Sequence, residues 1–177
     1  KGEGLFQLPS ERAGKTVTAY GNAALSTVQE KFGTASLLLD GSGDYAKTLS
    51  NSDFGFGTDD FTVEGFVRLT ANGSDQHLFD FRNSSASDSA VHVSIASTDV
   101  VKVSYGSTDI ITGITSLTTG SWYHLAVSRS SGSTKLFVDG TQEGDTYSDS
   151  NDYESSKPFV IGAAYDGSTE SSAYIDE

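Results

Sequence analysis

The sequence lacks cysteine and methionine and contains one tryptophan and two prolines among its 177 residues. Without cysteine there is no disulfide framework and no thiolate for catalysis or metal binding. No apolar run approaches the roughly 20 residues of a membrane-spanning helix, so we expect no membrane span. Because Lys1 is not an initiating methionine and no signal pattern follows it, we expect the chain to be part of a longer or processed product.

Basic residues are also scarce. Lysine and arginine total 11 against 24 aspartates and glutamates, which gives a formal net charge of −13. A surface of this sign repels phosphate backbones, so we expect no nucleic-acid partner. Two interpretations of the acidic residues stay open, because they either keep the domain soluble or supply carboxylates to a hard cation.

The alternating pattern of β-strands is what the sequence has most of, and the stretch from Gly120 to Gly140, GSWYHLAVSRSSGSTKLFVDG, shows it best. Tyr123, Leu125 and Val127 fall on one face of its first strand and alternate with residues of the other face. A Ser-Gly-Ser turn then leads into a second alternating strand, which ends at an Asp-Gly turn. The pattern predicts an antiparallel hairpin.

Short strands with turn signals every 8 to 12 residues or so continue along the chain, as in β-sandwiches. The pattern predicts an all-β sandwich or barrel in a single domain over residues 1–177, with peripheral strands in residues 1–30. Between Asp53 and Thr58, Phe54 and Phe56 are spaced by glycines and are predicted to plug one end of the sandwich. Further strands are predicted at Thr16–Tyr20, Ala24–Val28, Ser36 to Tyr45 with a central turn, Phe61–Leu69, His77–Phe81, Val91–Ile95, Val100–Tyr105 and Lys157–Gly162.

Six blocks in register make the chain resemble the laminin-G-like branch of the concanavalin A-like lectin/glucanase superfamily, from about Phe32 to the end. That resemblance implies a jelly-roll sandwich of two antiparallel sheets. The sequences of the blocks are similar to those of domains in bacteriophage tail-fibre and virion proteins and in bacterial adhesins. The blocks are Lys31–Tyr45, Phe56–Arg68, Gly120–Arg129, Lys135–Gly140, Pro158–Ala163 and Tyr174–Glu177.

The resemblance implies a non-enzymatic surface or adhesion module, extracellular or on a virion, that binds glycans or partner proteins. A homo-oligomeric assembly and a purely structural virion role without glycan binding are the alternatives it leaves open. The family pattern continues as a strand beyond the block that ends at Glu177, so we expect that strand to be truncated and its sheet edge to be open. Gly65 and Phe66 also stand where relatives often carry bulkier aromatic residues.

Glycan binding in such folds uses aromatic rings and planar polar side chains. Glu64, Phe66 and Arg68 project from one face of their strand, and Trp122 and His124 from one face of theirs, so these five are the candidate ligand-binding residues. The alternatives are structural. Trp122 is predicted as a packed core residue and His124 as a structural histidine. Glu64 and Arg68 are predicted to form cross-strand polar pairs on an exposed face.

A calcium ion takes six to eight oxygen ligands, and aspartates beside glycine turns supply them. By resemblance, Asp40, Asp44 and Asp176 are the first choice for a structural calcium site at the rim of the sandwich. Asp-Gly is also the preferred chemistry of tight hairpin turns, so a role in turns alone is the alternative.

Catalytic patterns are missing from the sequence. The glucanases of this superfamily carry their carboxylates on a Glu-x-Asp-x-x-Glu type strand, and no such strand is present. His77, His92 and His124 show no metal-ligand spacing, and no Gly-x-Ser-x-Gly elbow occurs. We therefore expect no enzyme, with a degenerate glucanase-like domain as the least favoured alternative.

Overall fold

The computed structural model describes residues 15–153 and 157–177 with their side chains, and the backbone of 5–7. A single 3₁₀ turn, Ser52–Phe54, is the helical element of these ranges, and none of their helices is long and apolar enough to cross a membrane. The strands are β1 Leu5–Gln7, β2 Thr16–Tyr20, β3 Ala24–Ser26, β4 Ser36–Asp40, β5 Tyr45–Thr48, β6 Phe61–Leu69, β7 Gln76–Asp80, β8 Val91–Ile95, β9 Val100–Tyr105, β10 Thr108–Ser116, β11 Trp122–Ser130, β12 Ser133–Val138, β13 Thr141–Ser148, β14 Val160–Ile161 and β15 Ser172–Asp176.

The strands form two antiparallel sheets. The eight-stranded sheet has the order β1-β2-β5-β14-β7-β8-β9-β10, and the seven-stranded sheet has the order β13-β12-β11-β6-β15-β4-β3. The chain passes repeatedly from one sheet to the other, as in a jelly roll. The predicted all-β, two-sheet sandwich is confirmed.

The hydrophobic core lies between the inner faces of the two sheets. Because side chains alternate along a strand, each strand sends every second residue inward. In β6 these are Phe61, Val63, Gly65, Val67 and Leu69, while the residues between them face outward. Burying one such valine, leucine or phenylalanine side chain stabilises the fold by about 1.5–3 kcal/mol. The sandwich is therefore held together by the inward half of its strand residues.

The glycine-spaced aromatic loop closes one end of this core. The ring of Phe56 stacks on Phe61 at a centroid distance of 4.5 Å and meets Phe81 edge-on at 5.2 Å. Phe54 packs against Phe159 at 5.7 Å. The predicted aromatic plug is confirmed.

The predicted hairpin is observed as β11 and β12, with Leu125 opposite Val138 and Val127 opposite Leu136. The N-terminal strands lie towards the ends of the sheets, with β3 at the outer end of the seven-stranded sheet and β1 and β2 at one end of the eight-stranded sheet. The expected open edge at the last strand is wrong. β15 pairs with β4 on one side and β6 on the other, so it lies inside its sheet.

Strands β10 and β13 were not predicted from the sequence. They lie at the ends of their sheets and close one side of the sandwich. Glu143 of β13 is buried and joins them. Its carboxylate accepts hydrogen bonds from the amide of Ile114 at 2.6 Å and from the amide and hydroxyl of Thr115 at 2.9 and 2.6 Å. These bonds satisfy backbone donors of an edge strand that would otherwise be free to pair with another chain.

Candidate functional site

The five predicted ligand-binding residues lie together on the outer face of the seven-stranded sheet. Strands β6 and β11 are neighbours there, and their register sets Trp122 opposite Arg68 and His124 opposite Phe66. Tyr174 of β15 continues the first of these rows because it lies opposite Arg68. The aromatic face is defined here as Glu64, Phe66, Arg68, Trp122, His124 and Tyr174.

The centre of the aromatic face is covered by the chain itself. Lys31 places its ammonium 5.2 Å from the centroid of the Phe66 ring, and Phe32 meets the same ring edge-on at 5.1 Å. Asp176 holds this covering loop, because one of its oxygens accepts the amides of Lys31 and Phe32 at 2.8 and 3.0 Å. The Phe66 ring is therefore not free to stack on a sugar along its whole surface.

One structural interpretation of these residues needs correction. Trp122 is half-buried on the outer face of its sheet and is not a core residue. Glu64 makes a cross-strand polar contact, because its carboxylate lies 3.2 Å from the Nε2 atom of His124 on β11. Arg68 instead places its guanidinium over the Tyr174 ring at 5.8 Å. The part of the face that stays open thus centres on Trp122, Arg68 and Tyr174.

The aspartates proposed for calcium do not converge. Asp44 accepts the amides of Asn22 and Asp40 at 2.6 and 3.1 Å, and Asp40 accepts the side-chain amide of Asn22 at 3.0 Å. Asp40 lies opposite Ser172 in the sheet. Asp176 lies four residues further along the strand, about 13 Å away at the usual rise of a strand. Within the described ranges no three acidic or histidine side chains are grouped to hold a metal. Calcium binding itself stays a prediction, and a bound ion would raise the melting temperature between chelator and millimolar calcium.

The eight-stranded sheet carries a second group of side chains on its outer face. Strand register places two polar rows side by side across β7, β8, β9 and β10. One row is Asp80, His92, Ser104 and Asp109, and the other is His77, Ser94, Lys102 and Thr112. We call these eight residues the polar floor.

The middle of the polar floor is sunken, although it belongs to the outer face of a sheet. Asp80 and Ser104 are 0% exposed, His92 is 6% exposed and Ser94 is 9% exposed. Polar groups this deep are costly unless they are hydrogen-bonded.

A buried ion pair lies at one end of the floor. The guanidinium of Arg82 donates to Asp80 from Nη2 at 2.6 Å and from Nε at 3.0 and 3.1 Å. The amide of Tyr165 also donates to Asp80, at 3.0 Å, and the Tyr165 ring lies 5.1 Å from the guanidinium carbon. Asp80 is thus fully occupied as a hydrogen-bond acceptor, which leaves no free carboxylate for a nucleophile or a general base.

Two histidines lie beside this pair with their rings stacked at 5.0 Å. Nη2 of Arg82 approaches Nδ1 of His77 at 3.4 Å. A guanidinium only donates, so this Nδ1 is an acceptor and the ring proton is on Nε2. Burial lowers the pKa of His77, against the opposing effect of Asp80. Burial, with the charges of Arg82 and His77, lowers the pKa of His92 to about 3. Both rings are therefore neutral at pH 7.

His92 also has an unsatisfied atom. Among the described residues its buried Nδ1 has no hydrogen-bond partner. Leaving a buried polar atom unpaired costs about 1–3 kcal/mol. An unpaired polar atom in a sunken polar surface is a feature that a bound hydroxyl or water would satisfy.

The rim beside the ion pair is formed by residues 162–171, which we call the Tyr165 loop. It is anchored to β7 at several points: the amide of His77 donates to the carbonyl of Thr169 at 3.1 Å, and the Ser171 hydroxyl donates to the carbonyl of His77 at 2.6 Å. Lys47 donates to the carbonyl of Tyr165 at 3.1 Å. Gly162 is essential to the loop's path, because a Cβ there would lie 2.1 Å from Leu39 and its φ is +88°.

The polar floor was not predicted from the sequence, because a bulge interrupts the alternation of β7. The pairing of β7 with β8 shifts between His77 and Phe79, so His77 and Asp80 both face outward while Phe79 is in the core. Strict alternation places His77 and Phe79 on the same face, so the pattern did not unite His77 with Asp80. The remaining signal, polar residues alternating with valine and isoleucine in β8 and β9, was present.

The sandwich of two antiparallel sheets places the protein in the class of jelly-roll domains. The chain belongs to the concanavalin A-like lectin/glucanases superfamily, because the sequence profile of its laminin-G-like family matches residues 40–177. The expected family is thereby confirmed. No curated protein matches the chain.

Solved structures share this fold at low sequence identity. Domain 4 of AbnA, an extracellular arabinanase of Geobacillus stearothermophilus solved with arabinotriose, is 18% identical with a TM-score of 0.66, over 88% of this chain and 73% of that domain. The carbohydrate-binding module CBM66 of Bacillus subtilis is 19% identical with a TM-score of 0.53, over 89% and 91%. The ligand-binding domain of botulinum neurotoxin serotype D, solved with N-acetylneuraminic acid, is 15% identical with a TM-score of 0.63. This chain aligns over 98% of its own length but spans only 46% of that domain.

Proposed function

We propose that the protein is a non-catalytic glycan-binding module and that it binds sugar at the polar floor. The observation that carries the proposal is a row of polar side chains buried on an outward sheet face, Asp80, His92 and Ser104, beside the Tyr165 loop. Proteins of the same fold that bind arabinotriose or carry the name of a carbohydrate-binding module support the class of ligand.

The chemistry of the floor favours binding over catalysis. Glycoside hydrolysis needs two available carboxyl groups on either side of the scissile bond. The carboxylate of Asp80 is held by Arg82 and by the amide of Tyr165, and that of Asp109 by Lys102 and Ser104 at 2.6 and 2.7 Å. Carboxylates committed in this way hold neighbouring side chains in place and are not available for acid-base chemistry.

The aromatic face is the second candidate surface. Trp122 and Tyr174 are half-buried rings at its open part, and Arg68 lies between them in the register. Rings of this kind stack on the apolar faces of sugars. The polar floor is favoured over it because the chain covers Phe66, the centre of the aromatic face, with its own Lys31 and Phe32.

We further predict that the module works outside the cell or on a virion surface, as part of a larger homo-oligomeric assembly. The extracellular arabinanase that shares the fold supports an extracellular location. Light scattering coupled to size-exclusion chromatography of the full chain measures its oligomeric state.

A glycan array tests the proposed function, with Tyr165→Ala and Trp122→Ala as matched variants of the two faces. We expect binding of the unaltered chain to at least one glycan, its loss in Tyr165→Ala and its retention in Trp122→Ala. Thermal melting of each variant checks that it is folded. Loss in Trp122→Ala alone would move the site to the aromatic face. Absence of all binding by the folded chain would overturn the proposal and favour a structural role.

A further inference from the structure

We infer that the polar floor takes an uncharged saccharide, recognised through its hydroxyl groups, and rejects acidic sugars such as sialic or uronic acids. This inference rests on the proposed function and specifies the class of its ligand. It follows from the charges around the floor, the state of its histidines and the charge of the whole chain.

Two of the three cations around the floor are held in ion pairs. Arg82 lies 2.6 Å from Asp80, and Lys102 lies 2.6 Å from Asp109. A third cation, Lys47, is directed to the carbonyl of Tyr165. Charged groups face the histidines from β5, β7, β9, β10 and the loops. The anions are Asp75, Asp80, Asp109 and Asp166, and the cations are Lys47, Arg82 and Lys102.

A carboxylate-bearing sugar needs an uncommitted cation, as a free bidentate arginine would provide. Arg82 is committed to Asp80 on the sunken side of the floor, and Lys102 to Asp109 at its outer end. To bind an acidic sugar, Arg82 or Lys102 would have to leave its ion pair, or Lys47 its hydrogen bond to the carbonyl of Tyr165. An uncharged ligand leaves both pairs intact.

Neutral imidazoles match hydroxyl groups. A neutral histidine presents one donor and one acceptor, and a sugar hydroxyl also donates and accepts. His77 and His92 are neutral at pH 7, and Ser94 beside them carries a hydroxyl of the same dual character. Buried Nδ1 of His92, which has no partner among the described residues, is satisfied when a ligand hydroxyl or a ligand-held water reaches it. The floor is thus a surface of paired charges with dual donor-acceptor groups between them.

The charge of the whole chain acts in the same direction. A net charge of −13 produces a negative potential that lowers the local concentration of anionic ligands and their rate of association. This repulsion weakens with salt, because the Debye length shortens from about 10 Å at 0.1 M to about 3 Å at 1 M. An uncharged ligand is insensitive to it.

The experiment uses the full chain and an array of uncharged oligosaccharides, including arabino-, fructo- and galacto-oligosaccharides, printed beside sialylated, uronic and sulfated glycans. We expect binding to uncharged members only.

The uncharged oligosaccharide that binds best is then titrated by calorimetry against the unaltered chain, Lys102→Ala and the matched control Lys135→Ala. Lys135 lies on the outer face of the other sheet, opposite Ser128 and outside the aromatic face. We expect Lys102→Ala to weaken binding about tenfold through loss of a charge-assisted hydrogen-bond network, and Lys135→Ala to leave it unchanged.

Two further readouts separate the ligand classes. For an uncharged ligand the dissociation constant changes less than about twofold between pH 7.5 and 6.0, because His92, whose pKa is about 3, stays neutral across this range. It also changes little between low and high salt. An acidic glycan whose binding strengthens as the pH falls and is lost in Lys102→Ala would overturn the inference while leaving the proposed function intact. Uncharged binding that depends on Trp122 and not on Lys102 would overturn it as well. Thermal melting shows that each variant is folded, and Ser94→Ala serves as a second floor variant should Lys102→Ala unfold.

Discussion

The two outer faces of the sandwich use the same strand positions in opposite ways. On the seven-stranded sheet the outward residues include aromatic rings. The carboxylate that contacts His124 there is that of Glu64, whose side chain is 59% exposed. On the eight-stranded sheet the outward residues at the centre are polar and lie at 0–9% exposure. An outward position in a sheet therefore does not determine the solvent exposure of a side chain, because the loops around the sheet also bury its surface.

The difference has energetic consequences. A contact between exposed charges contributes about 0–1 kcal/mol, whereas removing one partner of a buried pair costs about 3–5 kcal/mol. The polar floor therefore carries a stability cost if it is disturbed, and the aromatic face does not. The predictions that follow test this contrast.

The largest effect is expected from Asp80→Ala. This change leaves the guanidinium of Arg82, which is 5% exposed, without its carboxylate. We expect the free energy of unfolding, measured by urea denaturation, to fall by about 3–5 kcal/mol.

A double variant sharpens this test. Asp80→Ala combined with Arg82→Met removes both charges, so we expect the pair to be less destabilised than Asp80→Ala alone. Equal or greater destabilisation of the double variant would show that the ion pair is not what stabilises this end of the floor.

A second effect concerns acid stability. The folded protein holds His92 with a pKa of about 3, below its ordinary value of 6.5, so the folded state binds fewer protons than the unfolded chain between these two values. The stability from neutral His92 is complete above pH 6.5 and is lost as the pH falls, at about 1.4 kcal/mol per pH unit. We expect unfolding free energies measured from pH 7 to 5 to decline, and His92→Gln to reduce that decline by about 2 kcal/mol at pH 5.

His124→Gln is the matched control on the aromatic face. Its ring is half-buried and contacts the exposed carboxylate of Glu64. We expect this variant to keep the acid decline of the unaltered protein. A flat pH dependence in His124→Gln, with the decline retained in His92→Gln, would reverse the assignment of the two faces.

Most of the fold was predictable because its central strands alternate cleanly. Phe61–Leu69, Val91–Ile95 and Val100–Tyr105 are observed with the predicted bounds. The edge strands β10 and β13 were not predicted because neither alternates cleanly: TDIITGITS has two adjacent isoleucines and two register shifts, and TQEGDTYS has one aromatic residue and no aliphatic one. Their pairing depends on the strands beside them and on Glu143, so it is a property of the tertiary structure.

The two surfaces also differ in how far the sequence predicted them. Strand alternation placed Phe66 and Trp122 each on one face of its own strand, and the structure brings the two strands side by side. Two features were out of reach. The loop that covers Phe66 is held by Asp176, which is 144 residues away from Phe32 in the chain. At Gly65 a Cβ would lie 3.0 Å from the Phe79 ring of the opposite sheet, so packing between the sheets sets the small residue there. Contacts between distant parts of the chain set both features.

The smallest effect is expected from Glu64→Gln, the counterpart of Asp80→Ala on the other face. The change removes the charge that contacts Nε2 of His124 at 3.2 Å, but the carboxylate and the ring both stay in contact with water. Exposed pairs contribute about 0–1 kcal/mol, so we expect a loss of unfolding free energy below about 1 kcal/mol in urea at pH 6. Added salt should shrink the loss further, because it screens exposed charges. A loss above about 2 kcal/mol would mean that the aromatic face is as strongly coupled to folding as the polar floor, and the contrast between the two faces would then fail.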